Sequence, residues 1–427
     1  MTGSVSRRRF LRGSTAGLGA LALGDVGIAR AATPRLGTGA FGDDGRNALI
    51  WIGDDVARRV RVDFGSDPAL ARPRAGPTVT LNRRTGFTTA VSLPGLTPGE
   101  IYYYRLVDAD SGAPVSGVGR FKTAPALPRP FTFAFSSCMH ERHAPFRLFD
   151  VIAARRPDFF LHLGDTVYAD QPREQFAPIL EHYRRKHAAI RRDPHLQRFL
   201  AGHLTYAIWD DHEIADGAHG GQDGIEDAMQ AFRESWPCAS VRRNGLHRRF
   251  TWAGADFFIL DVRSYRSPRE APDGPAKTML GAEQKQWFLD GLKGSRAPFK
   301  FVVTPVPFHG DGADSWGGYA GERDEIVREI RRQAIRGVVF LSGDYHMARD
   351  STSGATGLRE YMAGPIAQYA LYQESPAERA RYQRAGAFHF GDGYNFGFVR
   401  VDPAARSATV EFIDAMGRVL YAAEFSP

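Results

Sequence analysis

Phe159-Phe160-Leu161-His162-Leu163-Gly164-Asp165-Thr166-Val167-Tyr168 reads as an apolar β-strand that runs through a glycine into a carboxylate and, three residues on, a phenol. Gly164 lets the backbone turn sharply off the strand. Asp165 then points into whatever lies beyond the strand end, where its two oxygens can bridge two cations. The same grammar recurs in four other places. Phe131–Ser137 leads into Cys138, Leu204–Trp209 into Asp210-Asp211-His212, Phe301–Thr304 into Pro305-Val306-Pro307, and Val338–Gly343 into Asp344-Tyr345-His346. In layered α/β folds the site sits beyond the carboxyl ends of the strands, where several ends converge. The repetition predicts one such site and predicts that it holds metal.

Around these strands the chain divides by pattern. From Phe131 onward strands alternate with helical stretches, the signature of a layered α/β domain over 131–427. Helices are expected at Pro145–Ala154, Arg173–Arg191, His195–Ala201, Ile225–Ser235, Glu283–Leu292 and Arg323–Ala334. The excursion 171–202 between two strands reads as a wall or lid. Residues 35–125 instead read as short strands (Ala48–Ile52, Arg58–Asp63, Thr78–Leu81, Thr88–Leu93, Ile101–Val107) separated by turn clusters. Such spacing predicts a β-sandwich of fibronectin or immunoglobulin type. The proline-rich stretch Ala124–Pro130 reads as the boundary between the two.

At the N-terminus Ser6-Arg7-Arg8-Arg9-Phe10-Leu11 precedes a short run of Ala, Leu and Gly over Gly13–Gly24, and Ala29-Arg30-Ala31 offers a small-x-small cleavage site. The run is too short to span a bilayer. The order of parts is that of a twin-arginine export signal over 1–31, which makes the translocase a partner during export and places the mature protein in the periplasm or outside the cell. Residues 1–31 hold five Arg and one Asp, so without them the 55 basic and 48 acidic residues become 50 and 47. The net charge falls from +7 to about +3. That balance argues for neither a nucleic-acid partner nor membrane insertion. With 43% hydrophobic and 24% charged residues, the composition excludes disorder. An exported protein meets oxidising conditions, yet only Cys138 and Cys238 are present. They could form a disulfide. Cys138's place at a strand end favours a thiolate ligand instead, with Cys238 a buried free thiol.

Each strand end admits a chemical and a bland reading. Tyr168 could supply a phenolate, a hard donor suited to Fe(III), or be a core tyrosine behind a capping Asp165. Asp210 and Asp211 are adjacent carboxylates whose burial is costly unless a cation or donors compensate them. Asp211 is the favoured ligand, Asp210 a ligand or a supporting group, and His212 faces substrate; a helix N-cap in a solvated turn is the alternative. Asp344 and His346, at i and i+2, project to one side if the chain stays extended. One carboxylate and one imidazole suit iron, zinc or manganese. His140, Arg142 and His143 could line the pocket or begin a helix. Arg263 and Arg266 follow another apolar strand and could grip phosphate bidentately or form structural pairs with aspartates.

Taken together, Ser137-Cys138, Gly164-Asp165-x-x-Tyr168-Ala169-Asp170, Trp209-Asp210-Asp211-His212-Glu213, Asp261-x-Arg263-Ser264-Tyr265-Arg266, Asp314-Ser315-Trp316-Gly317-Gly318-Tyr319 and Ser342-Gly343-Asp344-Tyr345-His346 resemble the alkaline phosphatase D family of calcineurin-like metallophosphoesterases. The export signal and the preceding sandwich fit the same family. The resemblance implies a four-layer αββα catalytic domain after a small fibronectin/Ig-like β-sandwich. It implies phosphomonoesterase, phosphodiesterase or phospholipase-D-like activity, with Fe(III) and one or two Ca(II), other divalent metals being admissible. On that resemblance Cys138, Asp165, Tyr168 and His346 hold iron, while Asp165, Asp211 and Asp344 serve the neighbouring cations. Asp211 stands where the family carries asparagine. Purple acid phosphatases share the Gly-Asp-x-x-Tyr piece but carry Asp where this chain has Cys138. The expected reaction is in-line attack on a phosphate ester by a hydroxide clamped between two cations, with His212 and Arg263 as catalytic groups and His309 a weaker candidate for orientation. The competing reading is a secreted, non-catalytic calcium-binding protein; Cys138, Tyr168 and His346 are poor calcium ligands.

Overall fold

The rings that make the strands apolar also join the sheets. Phe133 lies 5.4 Å from Phe257 and 5.1 Å from Phe301, and Phe159 lies 5.3 Å from Phe257, ring centre to ring centre. These contacts cross between two β-sheets of a computed structural model that describes residues 34–41, 48–238, 245–352, 356–385 and 387–427. The export signal expected over 1–31 lies outside the described residues.

The first sheet runs, in spatial order, Val419–Phe425, Ser407–Asp414, Asn395–Asp402, Phe131–Ser136, Phe159–His162, Leu204–Ala207, Arg35–Phe41, Ala48–Gly53 and Thr88–Leu93. The second runs Arg248–Trp252, Ala255–Ile259, Lys300–Val303, Val338–Ser342, Arg359–Met362, Ala348–Thr352 and His389–Phe390. Helices cover both outer faces. Phe160, pointing opposite to Phe159, meets Phe149 of the helix Leu148–Ala154 and Phe199 of the helix Pro194–Gly202. Phe258 meets Phe288 of the helix Gly281–Gly294 and shares a core with Ile326 and Ile330 of the helix Ala320–Arg332. The layers are therefore helix, sheet, sheet, helix, the four-layer metallophosphoesterase-like architecture. Each buried phenylalanine contributes roughly 1.5–3 kcal/mol.

Register explains why the strand ends converge. In the first sheet Ser136 pairs with His162, and His162 with Ala207, all in parallel strands. In the second, Ile259, Val303 and Leu341 stand abreast, also parallel. The residues that follow each of these positions leave their sheet at the same edge.

The N-terminal strands form two sheets. Arg74–Leu81, Arg58–Gly65, Ile101–Asp108 and Gly119–Lys122 make a separate antiparallel sheet. The other three are continuous with the large sheet through Arg35–Phe41, which runs parallel to Leu204–Ala207 and antiparallel to Ala48–Gly53. Arg35–Phe41 was not legible as a strand because Gly37 and Gly39 dilute its apolar pattern. Gly39 is required by close approach: a Cβ there would come within 1.9 Å of Pro237. The helix expected over Arg173–Arg191 is in fact a 3₁₀ turn, Arg173–Gln175, then an extended stretch and the helix Leu180–Ile190. Pro178 is the reason, since it lacks the amide proton and drives Ala177 out of helical geometry. Among the described residues no helix is long and apolar enough to cross a membrane.

Candidate metal centre

Cys138, Asp165, Asp344 and His346 all adopt left-handed backbone conformations, with φ of 62°, 52°, 68° and 51°. Such geometry costs a non-glycine residue of order 1–2 kcal/mol, so four instances at three strand ends point to a shared function. The turns are tied together: the Cys138 amide donates to the Gly164 carbonyl (3.1 Å) and the Met139 amide to the Asp165 carbonyl (2.8 Å). Gly164 itself has φ 111°, and a Cβ on it would lie 2.7 Å from the Asp210 side chain.

These turns aim side chains at one another. Asp165 Oδ2 lies 3.2 Å from the Tyr168 hydroxyl and 3.5 Å from Cys138 Sγ, and the Tyr168 hydroxyl lies 3.1 Å from His346 Nε2. Ligand atoms of Cys138, Asp165 and His346 fall within 4.8 Å of one another, as do those of Asp165, Asp210, Asp211 and Asp344, and those of Asp165, Asp211 and His212. Asp165 belongs to all three groups. Its Oδ1, and Oδ2 of Asp210, are buried with no hydrogen-bond donor. Burial, reinforced by the Asp210 and Asp211 charges, pushes the Asp165 and Asp344 carboxyls well above the usual range, and burial beside Asp165 pushes the Cys138 thiol up. A cluster of desolvated acids with orphaned oxygens, a thiol, a phenol and an imidazole fits metal cations. Thiolate, phenolate and imidazole suit a transition metal, and the all-carboxylate side suits a hard cation. Cys138 and Cys238 are both free thiols.

Supporting groups hold these donors. The Tyr168 ring lies between His140 (4.7 Å) and His212 (4.1 Å) in near-parallel stacks. His346 Nδ1 faces Glu374 at 3.3 Å. His212 Nδ1 contacts both oxygens of Asp170, at 2.9 and 3.0 Å, which leaves its other ring nitrogen for the cluster. Burial opposes protonation of His212, but the Asp211, Asp165 and Asp170 carboxylates outweigh it and hold its pKa well above the ordinary histidine value. Asp211 accepts the amides of His212 (3.0 Å) and Gly217 (2.7 Å). Burial works against its charge; the neighbouring Arg263 and His212 and the Gly217 amide win and hold its carboxyl low.

Arg263 is fully buried and its donors go to protein: Nε to Asp210 at 2.5 Å, two nitrogens to Asp314 at 3.2 and 2.7 Å, and one to the Ala218 carbonyl at 3.3 Å. Arg266 likewise reaches Asp314 (3.0 Å) and the Tyr319 hydroxyl (2.9 Å). His309 lies against Glu360 and Thr356. His143 stacks edge-on with Tyr369 and lies 3.2 Å from the Tyr394 hydroxyl.

Sequence reasoning assigned no role to Glu213, Asp170 or Asp314. Glu213 is wholly buried and accepts the amides of Asp165 (3.2 Å), Thr166 (2.5 Å) and Asp210 (2.8 Å), tying two ligand loops together. Its charged neighbour sequence, Asp-Asp-His-Glu, was the available signal. Glu213→Gln keeps one accepting oxygen but turns the other into an NH₂ that cannot accept, so at least one of the three backbone amides loses its partner. We expect metal affinity about 10–100-fold weaker and a loss of about 1–3 kcal/mol in the metal-free protein, checked by metal titration and denaturant unfolding.

A sequence profile described as PhoD-like phosphatase matches residues 133–412, and one described as PhoD-like phosphatase, N-terminal domain, matches residues 38–125. The chain belongs to the PhoD-like phosphatase family. A curated relative, alkaline phosphatase D of Bacillus subtilis (strain 168), is 32% identical over 311 residues, which is 60% of this chain and 52% of that protein. The chain thus spans about half the length of the curated relative it matches. Among solved structures, that of PhoD superposes with a TM-score of 0.75 at 24% identity, covering 92% of this chain and 88% of the other. A purple acid phosphatase, PPD1 of yellow lupin, superposes with a TM-score of 0.64 at 14% identity, covering 92% and 74%. At these identities the two structures speak to the fold: PhoD-like and purple acid phosphatase architectures share these layers with this chain.

Proposed function

We propose that this chain is an exported, metal-dependent phosphoesterase that hydrolyses phosphate mono- or diesters. The observation that carries the proposal is that Asp165 is common to a thiol–phenol–imidazole group and to an all-carboxylate group. On this reading Cys138, Asp165, Tyr168 and His346 would hold Fe(III), and Asp165, Asp211 and Asp344 would hold Ca(II). When bound, the cations would lower the pKa of a water and offset charge on the phosphoryl oxygens. Arg263, whose donors are spent on Asp210, Asp314 and the Ala218 carbonyl, would hold these loops rather than grip phosphate. His212, charged and fixed at Nδ1 by Asp170, gives a proton to the departing alkoxide from its other nitrogen. A non-catalytic calcium protein would have no use for a buried thiol at such a cluster. Export of the folded, loaded protein by the twin-arginine route is consistent with a metal centre assembled before export.

The test pairs elemental analysis with hydrolysis of p-nitrophenyl phosphate and bis(p-nitrophenyl) phosphate. Iron, calcium and turnover of at least one ester are expected; metal-loaded protein that turns over neither overturns the proposal. Asp170→Asn tests the proton donor. Removing that carboxylate lowers the folded pKa of His212, so the protonated form is lost at lower pH. A fall in kcat of about 10²-fold and an alkaline limb displaced toward acid are expected in the pH–rate profile.

A further inference from the structure

Arg191 follows the helix Leu180–Ile190 and is 3% exposed. Its guanidinium lies between two indoles, 4.2 Å from Trp51 and 4.1 Å from Trp236. Among the described residues its side chain makes one hydrogen bond, to the Ser235 carbonyl, and no carboxylate comes within ion-pair distance of it. Burial, with Arg35 nearby, pulls its pKa down to about 9, so it is still a cation at neutral pH. Two cation–π contacts offset part of the cost of burying it, each by about 2 kcal/mol, whereas an unpaired buried charge costs several kcal/mol.

A cavity of about 30 Å³ opens beside it, walled by Arg35, Trp51, Arg184, His187, Arg191 and Glu234 among others. Arg35 Nε and His187 Nε2 are buried with no hydrogen-bond partner. The carboxylate in this wall is already engaged: Glu234 holds Arg184 through both oxygens at 2.7 Å and takes Gln230 at 3.0 Å. Arg35 is paired at its far nitrogen with Asp55 (3.1 Å) and the Asp54 carbonyl (3.0 Å), which leaves Nε unused. The wall therefore carries excess positive charge and unspent donors. Water would meet the hydrogen bonds but not the charge. The opening is small, about 30 Å³, which suits a monatomic anion.

We propose that this cavity binds one small monovalent anion of chloride size, which neutralises Arg191 where the N-terminal strands meet the helix Leu180–Ile190. The ion would also steady the metal-centre loop at one remove. Trp236, stacked on Arg191, donates its indole N–H to the Thr166 hydroxyl at 3.2 Å, and Thr166 follows Asp165. Neither Arg191 nor His187 is part of the proposed catalytic machinery.

The decisive experiment uses crystals of the whole protein soaked in sodium bromide, with diffraction recorded at the bromine edge. An anomalous peak beside the Arg191 guanidinium is expected; ordered water there without anomalous signal overturns the proposal. In solution, the thermal midpoint is expected to rise by a few degrees, saturably, in sodium chloride over sodium gluconate at equal ionic strength. Arg191→Met should abolish that difference. If that variant does not fold, His187→Leu, which removes a ring nitrogen but keeps the cation, should reduce it. Equal midpoints in the two salts for the unaltered protein would also overturn the proposal.

Discussion

Asp165→Asn is expected to abolish metal binding and lower kcat/KM by about 10³-fold or more, equivalent to about 4 kcal/mol at 1.36 kcal/mol per decade, while making the metal-free protein more stable. The two effects share one cause. Asp165 is 1% exposed, has an orphaned oxygen, and sits among Asp210, Asp211 and Asp344. Without cations this cluster is repulsive and desolvated, and a neutral amide of the same shape relieves it. A gain of about 1–3 kcal/mol in the metal-free form follows from removing a buried carboxyl that must otherwise take up a proton on folding. Denaturant unfolding with and without chelator, together with elemental analysis and ester hydrolysis, separates the two. A variant that lost stability in the metal-free form would show that Asp165 serves the fold and not the cations. Glu213→Gln differs in the metal-free form, where a loss of stability is expected, because Glu213 accepts three backbone amides and the substitute leaves at least one of them unpaired.

Strand ends were legible in the sequence because their signal is local. An apolar run of four to six residues that stops at Gly-Asp or at Asp-x-His announces both the strand and the group it presents. Register then does the rest, and it brings Asp165, Asp211 and Asp344 within reach of one another. The supporting residues were not legible because their partners are distant in sequence. Asp170 meets His212 across 42 positions and Asp314 meets Arg263 across 51. Asp170 and Asp314 sit in motifs that show they are polar, not what they hold. Arg35–Phe41 failed for a related reason: its strand character comes from neighbours on both sides, not from its own composition. The break at Pro178 was local and readable; the surrounding Arg- and Glu-rich period outweighed it.

Arg263→Met should destabilise the metal-free protein by about 3–5 kcal/mol, more than Glu213→Gln does. Arg263 is fully buried and faces Asp210, Asp314 and, at 3.7 Å, Asp211. Methionine matches its apolar stem but leaves Asp210 without its counter-charge and Asp314 with Arg266 alone. Arg263→Lys keeps one charge but not the planar fork that reaches Asp210 and Asp314 together, so it should fall between the two. The loss depends on pH through Asp210. Asp210 already has its pKa pushed up to about 7 by burial, against the opposing pull of Arg263; removing Arg263 raises it further. A carboxylate with a raised folded pKa binds more protons folded than unfolded between its two pKa values. Stability therefore falls as pH climbs through that window and is recovered toward pH 5. Unfolding of metal-free Arg263→Met should accordingly show a larger deficit at pH 8 than at pH 5. A deficit independent of pH would mean that packing around the guanidinium, not the charge it balances, is what the protein loses.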